Sequence, residues 1–191
     1  MNGFKYVDSF VAISNTIKEE YLKLNIPSKK IASIENGINA KSIKEQLVDI
    51  HSIRKKYKLP LDKKIILSVG RNHPKKGFKD LIDSLAYLNK LTNDYIVLLI
   101  GEKTNELISY AKYKNQEMNF FQINQINPSK NEISFPTNEL INLYKSSNYF
   151  VLPSYVEGHP NVVVEASMSG LPVIVTDAPG CRDVVNHEID G

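Results

Sequence analysis

Short β-branched runs alternate with longer amphipathic stretches along this chain, and that alternation restricts the folds open to it. The runs "SFVAIS" (9–14), "KIASI" (30–34), "KIILSV" (64–69), "YIVLLI" (95–100), "NYFVL" (148–152) and "PVIVT" (172–176) read as strands. Between them, 77–91 sets Leu81, Ile82, Leu85 and Leu88 on one helical face. Residues 137–147 do the same with Leu140, Ile141 and Tyr144, with Thr137 as N-cap. Asn161 is expected to cap a further helix that ends near Gly170, ahead of the strand opened by Pro172. Strands separated by helical crossovers predict an α/β fold with a parallel sheet covered on both faces.

The rest of the chain is less regular. Residues 105–135 read as a lysine- and asparagine-rich helix, then "NFFQI" and "EISF" around the loop "NQINPSKN". Residues 37–62 are polar and helix-prone, and are expected to link a first β-α-β piece (about 8–38) to the main domain. A length of 191 residues suits one domain, or one domain plus a piece of another.

Composition excludes several classes. The chain is 42% hydrophobic and 24% charged, as soluble globular proteins are. Its first residues lack the basic-then-apolar order of a signal peptide, and "YIVLLIG" is far too short to span a bilayer. The single cysteine, Cys181, rules out an intrachain disulfide framework and fits a reducing cytoplasm. A net charge of +3 is spread along the chain, and no aromatic-basic pattern marks a nucleic-acid face. No two glycines stand two apart, so there is no G-x-G dinucleotide fingerprint. "GEKT" (101–104) lacks the earlier glycine of a P-loop, and no Asp-x-Asp pair is present for a metal-bound nucleotide. The four histidines and Cys181 lack metal-ligand spacing.

In an open parallel sheet, ligands bind beyond the carboxyl ends of the strands. The segments following 64–69, 148–152 and 172–176 are "GRNHPKKG", "PSYVEGHPN" and "DAPG". They bring Arg71, Lys75, Lys76, Glu157, His159, Glu165 and Asp177 to one edge. Arg71 and Lys76, between Gly70 and Gly77, suit a diphosphate, although two surface cations on a loop would look the same. The helix starting near Asn161 directs free N–H groups at that edge. Gly158 allows close backbone approach, and Pro160 leaves donation to Asn161 and Val162. Glu165, inside an apolar run, can accept hydrogen bonds from two vicinal hydroxyls, or be an exposed acid on a half-buried helix. Glu157 can bind sugar hydroxyls or face developing positive charge, or be a solvated loop acid.

The two acids form an E-x7-E motif, "EGHPNVVVE". With "PSYVEGHPNVVVEASMSGLPVIVTDAPG" around it and "SVGRNHPKKGFKDLI" before it, the chain resembles the C-terminal, donor-binding domain of retaining glycosyltransferases of the GT-B fold. It is most similar to the bacterial group 1 (family 4) type that builds lipopolysaccharide and capsule. The resemblance implies a Rossmann-like doubly wound sheet forming one half of a two-domain enzyme. It implies a division into residues 1–40 (end of the N-terminal domain), 41–62 (interdomain linker) and 63–191 (nucleotide-sugar-binding domain, cut short at its end).

The resemblance also assigns roles. Arg71 and Lys76 hold the donor diphosphate, with Gly70 at the strand exit. Glu157 contacts the donor sugar; Gly158, His159, Pro160, Asn161 and Val162 form the loop facing sugar and phosphate; Glu165 binds the ribose. Arg71, Lys76 and Glu157 are thereby the catalytic set. The implied donor is a nucleotide-diphosphate sugar, with uridine or guanosine as its base, used without metal or other cofactor. The acceptor is a glycan or lipid-linked molecule reached through the N-terminal domain, with the parent in the cytoplasm, peripheral to the inner face of the membrane. The alternative from another class is a non-catalytic sugar-nucleotide-binding or interaction module acting with a separate partner chain.

Overall fold

The computed structural model describes residues 3–126, 136–187 and 189. Its strands lie in two parallel sheets. In the smaller, β1 (Phe10–Ala12) pairs with β2 (Ile31–Ser33), Phe10 opposite Ile31, through the crossover helix α1 (Asn15–Lys23). Ser14 caps α1 by accepting from the Ile17 N–H.

The larger sheet contains β3 (Lys64–Val69), β4 (Tyr95–Ile100), β5 (Phe120–Ile123), β6 (Tyr149–Leu152) and β7 (Val173–Val175). Their spatial order is β5-β4-β3-β6-β7, and every neighbouring pair is parallel. All six expected strands are therefore present, and "NFFQI" supplies β5; "EISF" lies outside the described residues.

The sheet is apolar on both faces because both are covered. Along β4, Ile96, Leu98 and Ile100 join a core with Leu143, Tyr144, Phe150, Val163 and Ala166. The alternate residues Val97 and Leu99 pack with Phe78, Leu81, Ile82 and Leu85 of α4 (Phe78–Leu88) and Ala111 of α5 (Ile108–Tyr113). Leu88, on the expected face of α4, is only half-buried. The chain winds outward from β3 through α4 and α5 on one face, then returns across β3. There α6 (Asn138–Lys145) and α7 (Asn161–Met168) cover the other face. The order thus reverses between β3 and β6, which opens a crevice at their carboxyl ends.

The segment 41–62, expected as the interdomain linker, packs against the helices that cover this face of the sheet. It carries most of α2 (Ala40–Glu45) and all of α3 (Ile50–Lys56), which pack on α6 and α7. Ile43 is fully buried. Arg54 is buried as well, its guanidinium donating to the carbonyls of Pro60, Lys63 and Ser146 and to Asn148 Oδ1. These donors find backbone acceptors rather than a carboxylate, which satisfies a buried cation without a second charge.

Two helix starts were readable from sequence with different success. Thr137 caps α6 as expected, accepting from the Leu140 N–H. Asn161 does not cap α7. Pro160 is the N-cap residue, and Asn161 is the first helical residue. The Asn161 Oδ1 is drawn away from the helix: it accepts from Asn36 Nδ2 at 3.2 Å and lies 3.1 Å from His159 Nδ1.

Candidate functional site

Two loops at the β3–β6 crevice are joined backbone to backbone. The Tyr155 N–H donates to the Lys75 carbonyl at 2.8 Å. Gly77 sits against Pro153 so closely that a Cβ would come within 2.0 Å of the Pro153 oxygen, and its φ of 65° suits glycine. Residues far apart in sequence are thereby set side by side. Lys76 Nζ lies 2.6 Å from Glu157 Oε1, both side chains largely buried, and Ser154 Oγ donates to the same oxygen at 2.6 Å. Gly70 leaves room for the Lys76 stem, whose Cε would lie 3.4 Å from a Cβ there.

Glu157 is backed by a third loop. Its N–H donates to the Pro179 carbonyl at 2.9 Å, and Gly180, at φ 80°, lies against its carbonyl. That loop is tied to the start of α1: the Gly180 N–H donates to Thr16 Oγ1, and the Thr16 N–H donates to Asp183 Oδ2. Burial works to raise the Asp183 carboxyl, but hydrogen bonds from Thr16 and Ser14 outweigh it and leave it below the usual carboxylate range. Gly158 faces Ile13 of the same N-terminal segment.

The second acid is in a different environment. Glu165, in the second turn of α7, is buried, at 8% exposure, which excludes the exposed-acid reading. Tyr144 of α6 donates its hydroxyl to Glu165 Oε2 at 2.9 Å. Burial raises the Glu165 carboxyl, and the Tyr144 hydrogen bond offsets part of that rise. Tyr144 is itself pushed well up, by burial first and then by the Glu165 charge, so its hydroxyl remains a donor.

The expected site residues thus divide into groups. Lys76 and Glu157 meet directly; Gly158, His159, Pro160, Asn161 and Val162 run from them into the first turn of α7; Glu165 lies one turn further on. In the first turn of that helix the Val163 N–H donates to the Pro160 carbonyl, which leaves the N–H groups of Asn161 and Val162 to suit an anion. Arg71 stands apart. It is exposed and lines a cavity of about 470 Å³ with Gly70, Gly101, Thr137 and Leu140 beyond β3 and β4. Asp177 is engaged with Arg182, 3.0 Å away. Sequence reasoning missed Ser154, Tyr144, Thr16 and Asp183. Only Ser154, three residues from Glu157, had a local signal.

Residues 49–191 match the family described as glycosyl transferases group 1. The chain is 27% identical over 192 residues to N,N'-diacetylbacillosaminyl-diphospho-undecaprenol alpha-1,3-N-acetylgalactosaminyltransferase of Campylobacter jejuni, covering 99% of this chain and 47% of that protein. It is 29% identical over 191 residues to UDP-Gal:alpha-D-GlcNAc-diphosphoundecaprenol alpha-1,3-galactosyltransferase of Escherichia coli, covering 98% and 47%. A solved glycosyltransferase from Rickettsia africae shares the fold with a TM-score of 0.84 at 22% identity, covering 99% of this chain and 52% of that one. The chain therefore spans about half the length of the relatives it matches. These likenesses bear out the expected Rossmann-like half of a GT-B architecture. With three quarters of its length inside the matched region, the chain belongs to the glycosyl transferases group 1 family.

Proposed function

We propose that this chain supplies the donor-binding half of an enzyme that transfers a sugar from a nucleotide-diphosphate sugar to a glycan or lipid-linked acceptor, with retention of anomeric configuration and without a metal. In this reading residues 1–40 end the preceding domain, 41–62 connect, and 63–191 bind the donor. The observation that carries it is the pairing of two unlike carboxylates at one crevice. Glu157 is on a loop against a cation; Glu165 is buried one helical turn beyond an open N-terminus.

A nucleotide sugar needs the contacts that this crevice offers. Lys76, Arg71 and the first turn of α7 would meet the diphosphate, and Glu165 the ribose hydroxyls. Glu157 would meet the sugar, and the cavity at Gly101, Thr137 and Leu140 has room for the base. Breaking the glycosidic bond builds negative charge on the leaving diphosphate. Fixed cations and helix N–H groups lower the barrier where that charge develops. The E. coli relative is named for UDP-Gal and a diphosphoundecaprenol-linked acceptor, which supports a UDP-sugar donor and a lipid-linked acceptor here.

The test is nucleotide binding by the protein, followed by calorimetry or ligand-observed NMR with UDP and GDP. Binding that weakens in Glu165→Ala supports the reading. A folded sample that binds neither nucleotide overturns it.

A further inference from the structure

We propose that Tyr144 is a positioning residue for nucleotide recognition: its hydroxyl holds one oxygen of Glu165 so that the other is presented to the ribose. This rests on the donor-site reading above and adds to it a residue that does not itself touch the ligand.

The geometry is asymmetric. A buried carboxylate ordinarily collects two or three donors. Among the described residues, Glu165 has one, the Tyr144 hydroxyl on Oε2. Among the described residues Oε1 receives no donor, yet it is not one of the sealed side-chain atoms without a partner, which are Ser68 Oγ, Asn89 Oδ1 and Ser146 Oγ. Glu165 is therefore half satisfied, with one acceptor fixed and one open. That arrangement is expensive for a core and useful for a ligand that brings its own donors.

Tyr144 is well suited to hold that oxygen. It is fully buried, and its ring packs on Phe150 of β6 with centroids 6.0 Å apart. A helix and the strand beneath it thereby fix the hydroxyl, and the hydroxyl fixes the carboxylate. Leu140, one turn earlier on the same face of α6, lines the cavity that the base would fill. One helix thus sets the spacing between base and ribose contacts.

A pair that merely filled the core would contribute to stability alone. A positioning pair also governs selectivity for a ribose hydroxyl. The protein is titrated with UDP and GDP, and whichever binds is compared with its 2′-deoxy counterpart. The ribonucleotide is expected to bind about tenfold tighter to the unaltered protein, the worth of one charge-assisted hydrogen bond. Glu165→Gln is expected to lose most of that preference. Tyr144→Phe keeps the ring and its packing, and is expected to reduce the preference to within about twofold while the protein stays folded by circular dichroism. In the double variant the loss is no greater than in Glu165→Gln alone.

A Tyr144→Phe protein that keeps the full preference, while Glu165→Gln loses it, overturns the positioning role and leaves the donor-site reading standing. An unaltered protein with no preference for the ribonucleotide, or with no binding, overturns the ribose contact itself and this inference with it.

Discussion

Lys76 Nζ and Glu157 Oε1 lie 2.6 Å apart across 81 residues of sequence. The cation expected to hold phosphate is paired, without ligand, to the carboxylate expected to hold the sugar. In the proposed function a diphosphate would compete with Glu157 for Lys76, and that competition would free Glu157 to accept from the donor sugar. Glu157→Gln removes the competitor. The variant is expected to bind UDP about three- to tenfold tighter by calorimetry, in the range of a partly buried ion pair worth ~1 kcal/mol. Turnover is expected to fall when the same substitution is made in a two-domain enzyme that carries this half. Weaker UDP binding in Glu157→Gln would show that the carboxylate assists rather than opposes the phosphates.

Turnover should depend on each cation separately. Arg71→Ala and Lys76→Ala, assayed in a two-domain enzyme that carries this half, are each expected to lower kcat by about 100-fold, typical of removing one preorganised donor from a developing anion. KM for the donor should rise much less. Since Arg71 is exposed and its role depends on the ligand reaching it, an unchanged kcat in Arg71→Ala would remove it from the catalytic set.

Glu165 also leaves a mark on stability. Its carboxyl is raised in the folded protein, so the folded state holds this proton more tightly than the unfolded chain does. The group costs nothing while protonated in both states. Stability then falls as pH rises from the ordinary carboxylate range toward the raised folded value, and levels off above it. Glu165→Gln removes that fall. In urea denaturation the variant should match the unaltered protein near pH 4 and exceed it near pH 7, by on the order of 1 kcal/mol. An equal difference at both pH values would contradict the burial effect.

Asp183 should behave with the opposite sign. Its carboxyl is held low by the start of α1 and contributes stability above the ordinary carboxylate range. That contribution is lost as pH falls through the lowered value. Asp183→Asn is expected to cost about 1 kcal/mol at pH 7, as for loss of a helix-terminus charge. It should also speed hydrogen exchange in α1 more than in β3 or β4.

Most strands were legible because a sheet covered on both faces needs nearly continuous apolar runs, and β-branched residues between loops supply them. The E-x7-E pair was legible because both acids sit on one local segment. Tyr144 was not. Its periodicity places it correctly in the core, but its hydroxyl's partner is 21 residues away and depends on how α6 meets α7. Asn161 misled for a related reason: asparagine is a strong cap by local chemistry, and here Asn36, 125 residues away, competes for its oxygen. The segment 41–62 is polar and helix-prone by sequence, and its helices α2 and α3 are present, but that Arg54 turns inward among carbonyls depends on contacts up to 94 residues away.

Gly180 can be tested on its own. Its φ of 80° is left-handed, and a Cβ would come within 2.1 Å of the Glu157 oxygen. Gly180→Ala should destabilise by about 1–3 kcal/mol in denaturant melts.

The reversal of strand order between β3 and β6 also carries a kinetic consequence. The outward β3, β4 and β5 can assemble from chain that is near in sequence. β6 must then cross back to pair Ile66 with Tyr149 and Leu67 with Phe150, a contact of longer sequence separation than β3 with β4, which adds about 1 kcal/mol of loop-closure cost. Lys76 and Glu157 come together only once that late pairing is made. Partly folded chains of this kind lack the crevice, so a nucleotide bound there as proposed would slow unfolding without speeding refolding.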